Sequence, residues 1–258
     1  MEAIQTERAV VRTDGVSYGF GRKLLAWGVH LFTASGFVIA FLAILAIQKH
    51  NWRLVLTCLA VALVIDAVDG TMARALNVKQ VLPQINGAVL DSVSDFLNHV
   101  LVPVLLLYES NLVPENMVFA TSAFLLLASA YHWGNVRAVT KDNYIEGFPS
   151  MWNMVVVYLF LLNFNQWINL AVFFIFFVLT FVPIKYVYVS KTRDLRTLTR
   201  VLTALWAVLW AVIIAQFPAT NAWLLGVSLF YLIYLSALGL YRTLRGAAVA
   251  GGDDSLGM

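Results

Sequence analysis

Four aspartates in two pairs carry most of the chemistry this sequence can do. Asp66 and Asp69 fall in Asp66-Ala67-Val68-Asp69-Gly70-Thr71-Met72-Ala73-Arg74, and Asp91 and Asp95 in Gly87-Ala88-Val89-Leu90-Asp91-Ser92-Val93-Ser94-Asp95. Each pair sits in a long apolar stretch, and a carboxylate in hydrocarbon costs roughly 2.5–3.5 kcal/mol on insertion scales. Four together call for a compensating partner. One or two hard divalent cations, Mn2+ or Mg2+, suit a ligand set made of oxygens. Two such ions can clamp a pyrophosphate and neutralise a departing phosphate, which is the chemistry of phosphoryl or phosphatidyl transfer. A carboxylate not wholly consumed by metal can take the proton of an alcohol. Arg74, on the face of Asp66 and Gly70, offers a forked donor to a phosphate, although an arginine there also serves as an ordinary membrane-edge anchor. Gly70 and Gly87 leave room for a ligand or for a neighbouring helix.

The elements that position these residues are transmembrane helices. Of 258 residues, 61% are hydrophobic and only 12% charged, a balance that predicts an all-α, polytopic membrane protein. Apolar runs predict eight spans, at 31–47, 53–74, 84–107, 117–139, 148–162, 167–184, 199–216 and 221–241. Residues 19–30 mix Arg22 and Lys23 with Phe20, Leu24, Leu25 and Trp27, the pattern of an interfacial amphipathic helix or of a ragged start to the first span. The expected organisation is a cytoplasmic segment over 1–30, a membrane domain over 31–245 and a disordered tail over 246–258. The first apolar run is long enough to stay in the membrane rather than be cleaved as a signal.

Charge placement sets the orientation. With both ends on the cytoplasmic side, fifteen of the seventeen Lys and Arg lie inside, leaving Lys49 and Arg53 outside. Basic residues confined to such loops set topology, which argues against a nucleic-acid partner despite the net charge of +3. The lone Cys58 can form no intrachain disulfide. Asp66 and Asp69 then lie roughly 7–12 Å from the inner end of the second span, at about 1.5 Å per residue. The third span passes Asp91 and Asp95 at a similar depth. Spacings of i,i+3 and of i,i+4,i+8 from Gly87 put each set on one helix face.

These residues resemble the signature of the CDP-alcohol phosphotransferases, Asp-x2-Asp-Gly-x2-Ala-Arg, a spacer, then Gly-x3-Asp-x3-Asp. Every fixed residue is present: Asp66, Asp69, Gly70, Ala73, Arg74, Gly87, Asp91 and Asp95. The resemblance implies that Asp66, Asp69 and Asp91 bind metal and that Asp95 both contacts metal and acts as base. It implies that Gly70, Arg74 and Gly87 meet the CDP group, and that the protein is a homodimer. The spacer between Arg74 and Gly87 has twelve residues, longer than the family's usual one, and contains Pro83. That length is similar to the bacterial branch that condenses CDP-diacylglycerol with choline, giving phosphatidylcholine and CMP. His30-Leu31-Phe32-Thr33, Gly147-Phe148-Pro149-Ser150 and Pro183-Ile184-Lys185-Tyr186 resemble segments of that branch and of its serine-using relatives. The implied location is a bacterial inner membrane, with the site open to the cytoplasm.

Choline carries a quaternary ammonium, which proteins hold against aromatic faces. Tyr131, Trp133, Tyr144, Trp152, Tyr186 and Tyr188 lie at expected cytoplasmic helix ends, where interfacial aromatic belts also occur. Asn98 and His99, one turn beyond Asp95, could support the site or bond between helices, as could His132 and Asn135. Serine, glycerol 3-phosphate and inositol phosphate are the alternative acceptors. A cation-coupled transporter is the alternative of another class, but it would favour a midplane site, broken helices or a repeat between halves.

Overall fold

A computed structural model describes residues 18–253, apart from Arg137, Lys141, Ser190, Lys191, Arg193 and Thr220. Arg8 and Arg12, used above for orientation, lie outside the described residues, as do Arg137, Lys141, Lys191 and Arg193. The chain opens with α1 (Phe20–Gln48) and α2 (Trp52–Ala75), followed by the short α3 (Val78–Val81) within the spacer. Next come α4 (Gly87–Asp95), a π turn (Phe96–Leu101) and α5 (Val102–Glu109), stacked as one continuous rod, then α6 (Glu115–Gly134). The second half holds α7 (Trp152–Leu162), α8 (Gln166–Leu179), α9 (Arg196–Gln216) and α10 (Ala222–Asp253). Strands β1 (Tyr144–Glu146) and β2 (Lys185–Val187) form an antiparallel pair that links the loops before α7 and after α8.

Helices occupy all eight expected places, but they are not equal. Among the described residues, six stretches are long and apolar enough to cross a membrane: Phe20–Gln48, Trp52–Ala75, Gly87–Glu109, Glu115–Gly134, Thr197–Gln216 and Ala222–Arg245. The fifth and sixth expected spans are shorter apolar helices of 11 and 14 residues. Local breakers set their length. Ser150 and Asn163, both in left-handed conformation, bracket α7, and Pro183 follows shortly after α8.

Two boundaries differ from expectation. Residues 19–30 form no separate interfacial helix, because α1 runs unbroken from Phe20 to Gln48. The cause is the spacer: Val78, Val81 and Leu82 bury against Ala26 and Val29, giving the start of α1 a small core of its own. At the other end, the backbone of α10 stays helical to Asp253, through the alanine-rich start of the segment expected to be disordered. Residues 254–258 lie outside the described ones.

The core is built where the helices meet. Val55, Leu56 and Leu59 of α2 cluster with Leu106 and Leu107 of α5, Trp152 and Val156 of α7, and Trp206 and Trp210 of α9. Tyr158 ties the second half together: its hydroxyl donates to Ser228 Oγ (2.7 Å) and accepts from the indoles of Trp206 (3.2 Å) and Trp210 (3.3 Å). Outward-facing Phe119, Phe174, Trp223 and Phe230 stay exposed, as lipid-facing side chains do.

The π turn has a traceable cause. Pro103 lacks the N–H that would bond back to the carbonyl of His99, and its ring crowds that carbonyl. The ladder takes up an extra residue just before it, seen in the i→i−5 bond from Val102 N–H to Leu97 O. Every side chain after Asp95 is thereby rotated relative to a straight α-helix.

Candidate metal centre

Helix α1 is the backing plate of the site, packing against both α2 and α4. At Gly36 it approaches α4 so closely that a Cβ would strike Ser94 Oγ. Asn98 fastens that contact, donating to Gly36 O (3.0 Å) and Ser94 O (2.9 Å). So Asn98 bonds between helices, while its neighbour His99 turns the other way, toward the acids.

The four aspartates converge as two overlapping triads. Ligand atoms of Asp66, Asp69 and Asp91 all lie within 4.8 Å of one another, and so do those of Asp66, Asp95 and His99. Asp66 belongs to both. Asp69 is buried at 4% exposure, and Asp91 Oδ1 is buried without a hydrogen-bond partner. Among the described residues no Lys or Arg forms an ion pair with any of the four; their only charged-type neighbour is His99. An orphaned carboxylate oxygen, a donor set dominated by oxygen and two sets sharing one acid fit a pair of divalent cations. Asp66, Asp69 and Asp91 would hold one, and Asp66 with Asp95 the other.

Around the centre, Arg74 folds back along α2. Its guanidinium donates to Thr71 Oγ1 (3.2 Å), and Nη1 lies 3.2 Å from where a Cβ on Gly70 would stand. Gly70 is thus the gap over which the arginine fork reaches. Gly87 meets α1 instead: a Cβ there would stand 3.0 Å from His30 Cε1. His30, whose Nε2 is buried and unpartnered, borders the site, although sequence spacing alone gave it no role.

The six aromatic candidates are dispersed. Tyr144 and Trp152 have no exposed surface, and Trp152 donates to Ser129 Oγ (2.8 Å) within the core. Exposed Tyr131 leans on Phe181, and Tyr186 packs edge-on to Phe148. Tyr188 is half-buried in the loop after β2. Trp133 packs edge-on against Phe96, the residue after Asp95, with ring centroids 6.2 Å apart, and its indole Nε1 is buried without a partner. His132 is buried on the same helix, and a Cβ on Gly147 would lie 3.8 Å from its Nδ1.

A second acidic cluster lies around the β pair. The Tyr144 hydroxyl donates to Asp194 Oδ2 (2.6 Å), Arg242 pairs with the other oxygen, and Lys185 Nζ pairs with Asp142 (2.7 Å). The Tyr144 hydroxyl, together with Arg242, holds the Asp194 carboxyl below its ordinary range. Burial pushes the Asp142 carboxyl up, but bonds from Lys185 and Thr140 outweigh it and leave the group low. Burial and the Asp194 charge push the Tyr144 phenol up, keeping it a donor.

Comparison with known proteins gives one consistent picture. The family model described as CDP-alcohol phosphatidyltransferase matches residues 29–184, which include both aspartate pairs. The chain is similar to the phosphatidylcholine synthase of Borreliella burgdorferi, 37% identical over 224 residues covering 86% of this chain and 96% of the relative. It is similar to those of Pseudomonas aeruginosa (35% identical; 86% and 94% covered) and Legionella pneumophila (36% identical; 84% and 88% covered).

Proposed function

The chain belongs to the CDP-alcohol phosphatidyltransferase family, and on that premise we propose that it joins CDP-diacylglycerol to choline, forming phosphatidylcholine and releasing CMP. The observation that carries this reading is the pair of triads sharing Asp66, which no Lys or Arg among the described residues pairs with. Bound Mn2+ or Mg2+ would balance that charge and neutralise the pyrophosphate of the donor. Arg74, poised above Gly70, contacts a nucleotide phosphate as a planar fork, and Gly87 keeps α4 close enough to α1 to leave the CDP group its place.

Asp95 serves as base. It takes the proton of the choline hydroxyl as that oxygen bonds to the phosphorus carrying diacylglycerol. The bond from this phosphorus to the bridging oxygen breaks, and CMP leaves with the electron pair. The trimethylammonium of choline rests on Trp133, whose ring packs on Phe96, the residue after Asp95.

An apolar cavity of about 790 Å3 is lined by Phe32, Ile39, Leu63, Met154, Trp206 and Trp210. Ile65, the residue before Asp66, also lines it, and Arg53 closes its far end by donating to the Phe217 carbonyl. From Ile65 to Arg53 is about 18 Å along α2, comparable to one leaflet of a ~30 Å hydrocarbon core. This cavity takes an acyl tail of the donor.

The wider reading is a bacterial inner-membrane homodimer. Residues 31–245 cross eight times, α7 and α8 completing the count, with both ends and the metal centre on the cytoplasmic side. The lysine and arginine distribution supports the orientation, and the family supports the dimer. The deciding experiment is an acceptor panel on purified protein with CDP-diacylglycerol and Mn2+. Choline should drive CMP release and phosphatidylcholine formation. Phosphatidylserine or phosphatidylglycerophosphate formation without a choline product would replace the acceptor and leave the family unchanged.

A further inference from the structure

His99 has a place at the acids that the aspartate signature does not require. The imidazole is buried at 4% exposure, and neither ring nitrogen has a hydrogen-bond partner. A buried ring whose Nε2 is set between two carboxylates without a well-formed hydrogen bond to either, and whose Nδ1 has none, leaves room for a bridging ligand. Nε2 stands 3.4 Å from Asp66 Oδ2 and 3.8 Å from Asp95 Oδ1. Two donor atoms about 2.1 Å from a common ion lie roughly 3 Å apart when adjacent and about 4 Å when opposite. Both separations fall in that interval. The π turn that Pro103 imposes is what rotates His99 to this position, and such turns are frequent at functional sites.

We propose that His99 is a direct metal ligand, its Nε2 joining Asp66 and Asp95 around the second ion, so that one of the two metals has a nitrogen in its coordination shell. This rests on the metal centre proposed above. It divides the two ions by chemistry: Asp66, Asp69 and Asp91 form a hard, all-oxygen set suited to Mg2+, whereas the set with His99 admits imidazole and favours transition metals.

The test is pulsed EPR on the purified full chain loaded with Mn2+, without substrate. The parent should show nuclear modulation from a coordinated 14N, altered when the histidines are labelled with 15N. His99→Gln should lose that modulation and weaken one Mn2+ by at least about tenfold, the scale of perturbed metal sites. It should keep the other Mn2+, whose all-carboxylate set is untouched, and that retained ion shows that the variant is folded. His30→Gln should keep the modulation. Bound Mn2+ without nitrogen modulation in the parent, or modulation that survives in His99→Gln, overturns this inference alone. Failure of the parent to bind any Mn2+ overturns it together with the metal centre.

Discussion

The molecule holds two acidic clusters that obey opposite rules. Around the β pair, Asp142 and Asp194 each have a basic partner, and Asp194 also accepts from Tyr144. Their charge is cancelled within the chain, and the result is a clasp joining the loops before α7 and after α8 to α10. Between α2 and α4, four acids share no Lys or Arg partner among the described residues, and only the His99 imidazole faces two of them. Buried charge that the fold does not balance is charge left for something the fold binds. Acid count separates the clusters less well than the bookkeeping of cations does.

The largest effects should come from unbalancing the second cluster further. Exhaustive chelation should abolish CMP release, with Mn2+ or Mg2+ restoring it; undiminished release after chelation would sink the metal centre. Asp69→Asn should lower kcat by at least about 10²–10³, the scale of losing one electrostatic stabiliser. Asp142→Asn, from the clasp, should leave kcat near the parent value. Asp95→Asn should retain CDP-diacylglycerol binding and lose roughly 10²–10⁴ in transfer, as removal of a general base does. Brisk turnover by that variant would move the base elsewhere.

The clasp should respond in stability instead. Tyr144→Phe deletes a hydrogen bond to a carboxylate, worth about 1.5–3 kcal/mol when buried and nearer 1 here, because Asp194 is partly exposed and screened. Its Tm in detergent should fall while activity per folded molecule holds. Both clasp carboxyls are held low in the folded chain. Their contribution is therefore full above the unfolded value, about pH 4, and is lost as pH falls through the depressed folded values. An Asp142→Asn/Asp194→Asn variant should lose less Tm than the parent on going from about pH 5 to pH 2. A parallel decline in both would remove the clasp's electrostatic role.

What the sequence made legible was whatever depends on helical spacing. The i,i+3 and i,i+4 aspartates place themselves, because any continuous helix puts them on one face. His99 was harder to read. At i+4 from Asp95 a straight helix already places it nearby, but its final aim depends on the π turn, whose only sequence signal is Pro103 inside an apolar run. The continuity of α1 was hidden for another reason: it depends on Ala26 and Val29 meeting Val78 and Val81 across the spacer, a tertiary contact with no local signature. Short α7 and α8 were blurred because apolar content continues past the left-handed residues and prolines that end the helices. Among aromatics, composition offers six equals, and only packing distinguishes Trp133.

Trp133 and Tyr144 carry the contrast between the clusters down to single rings. Lys185 Nζ lies 5.9 Å from the Tyr144 ring centroid, so that ring already serves a cation of the chain. Trp133 has no such partner among the described residues, and it packs on Phe96, the residue after Asp95. If choline's trimethylammonium is the missing cation, Trp133→Leu should raise the choline KM and spare kcat, the pattern of lost uniform binding. One cation–π contact is worth roughly 0.5–2 kcal/mol, which predicts about a 2- to 30-fold rise. Tyr144→Phe keeps a ring and should leave the choline KM unchanged, although it loosens the clasp. The CDP-diacylglycerol KM should hold in both variants, since neither ring touches the donor in this reading. Equal choline KM values for parent and Trp133→Leu would take the ammonium away from Trp133, and a raised value in Tyr144→Phe would move it to the clasp.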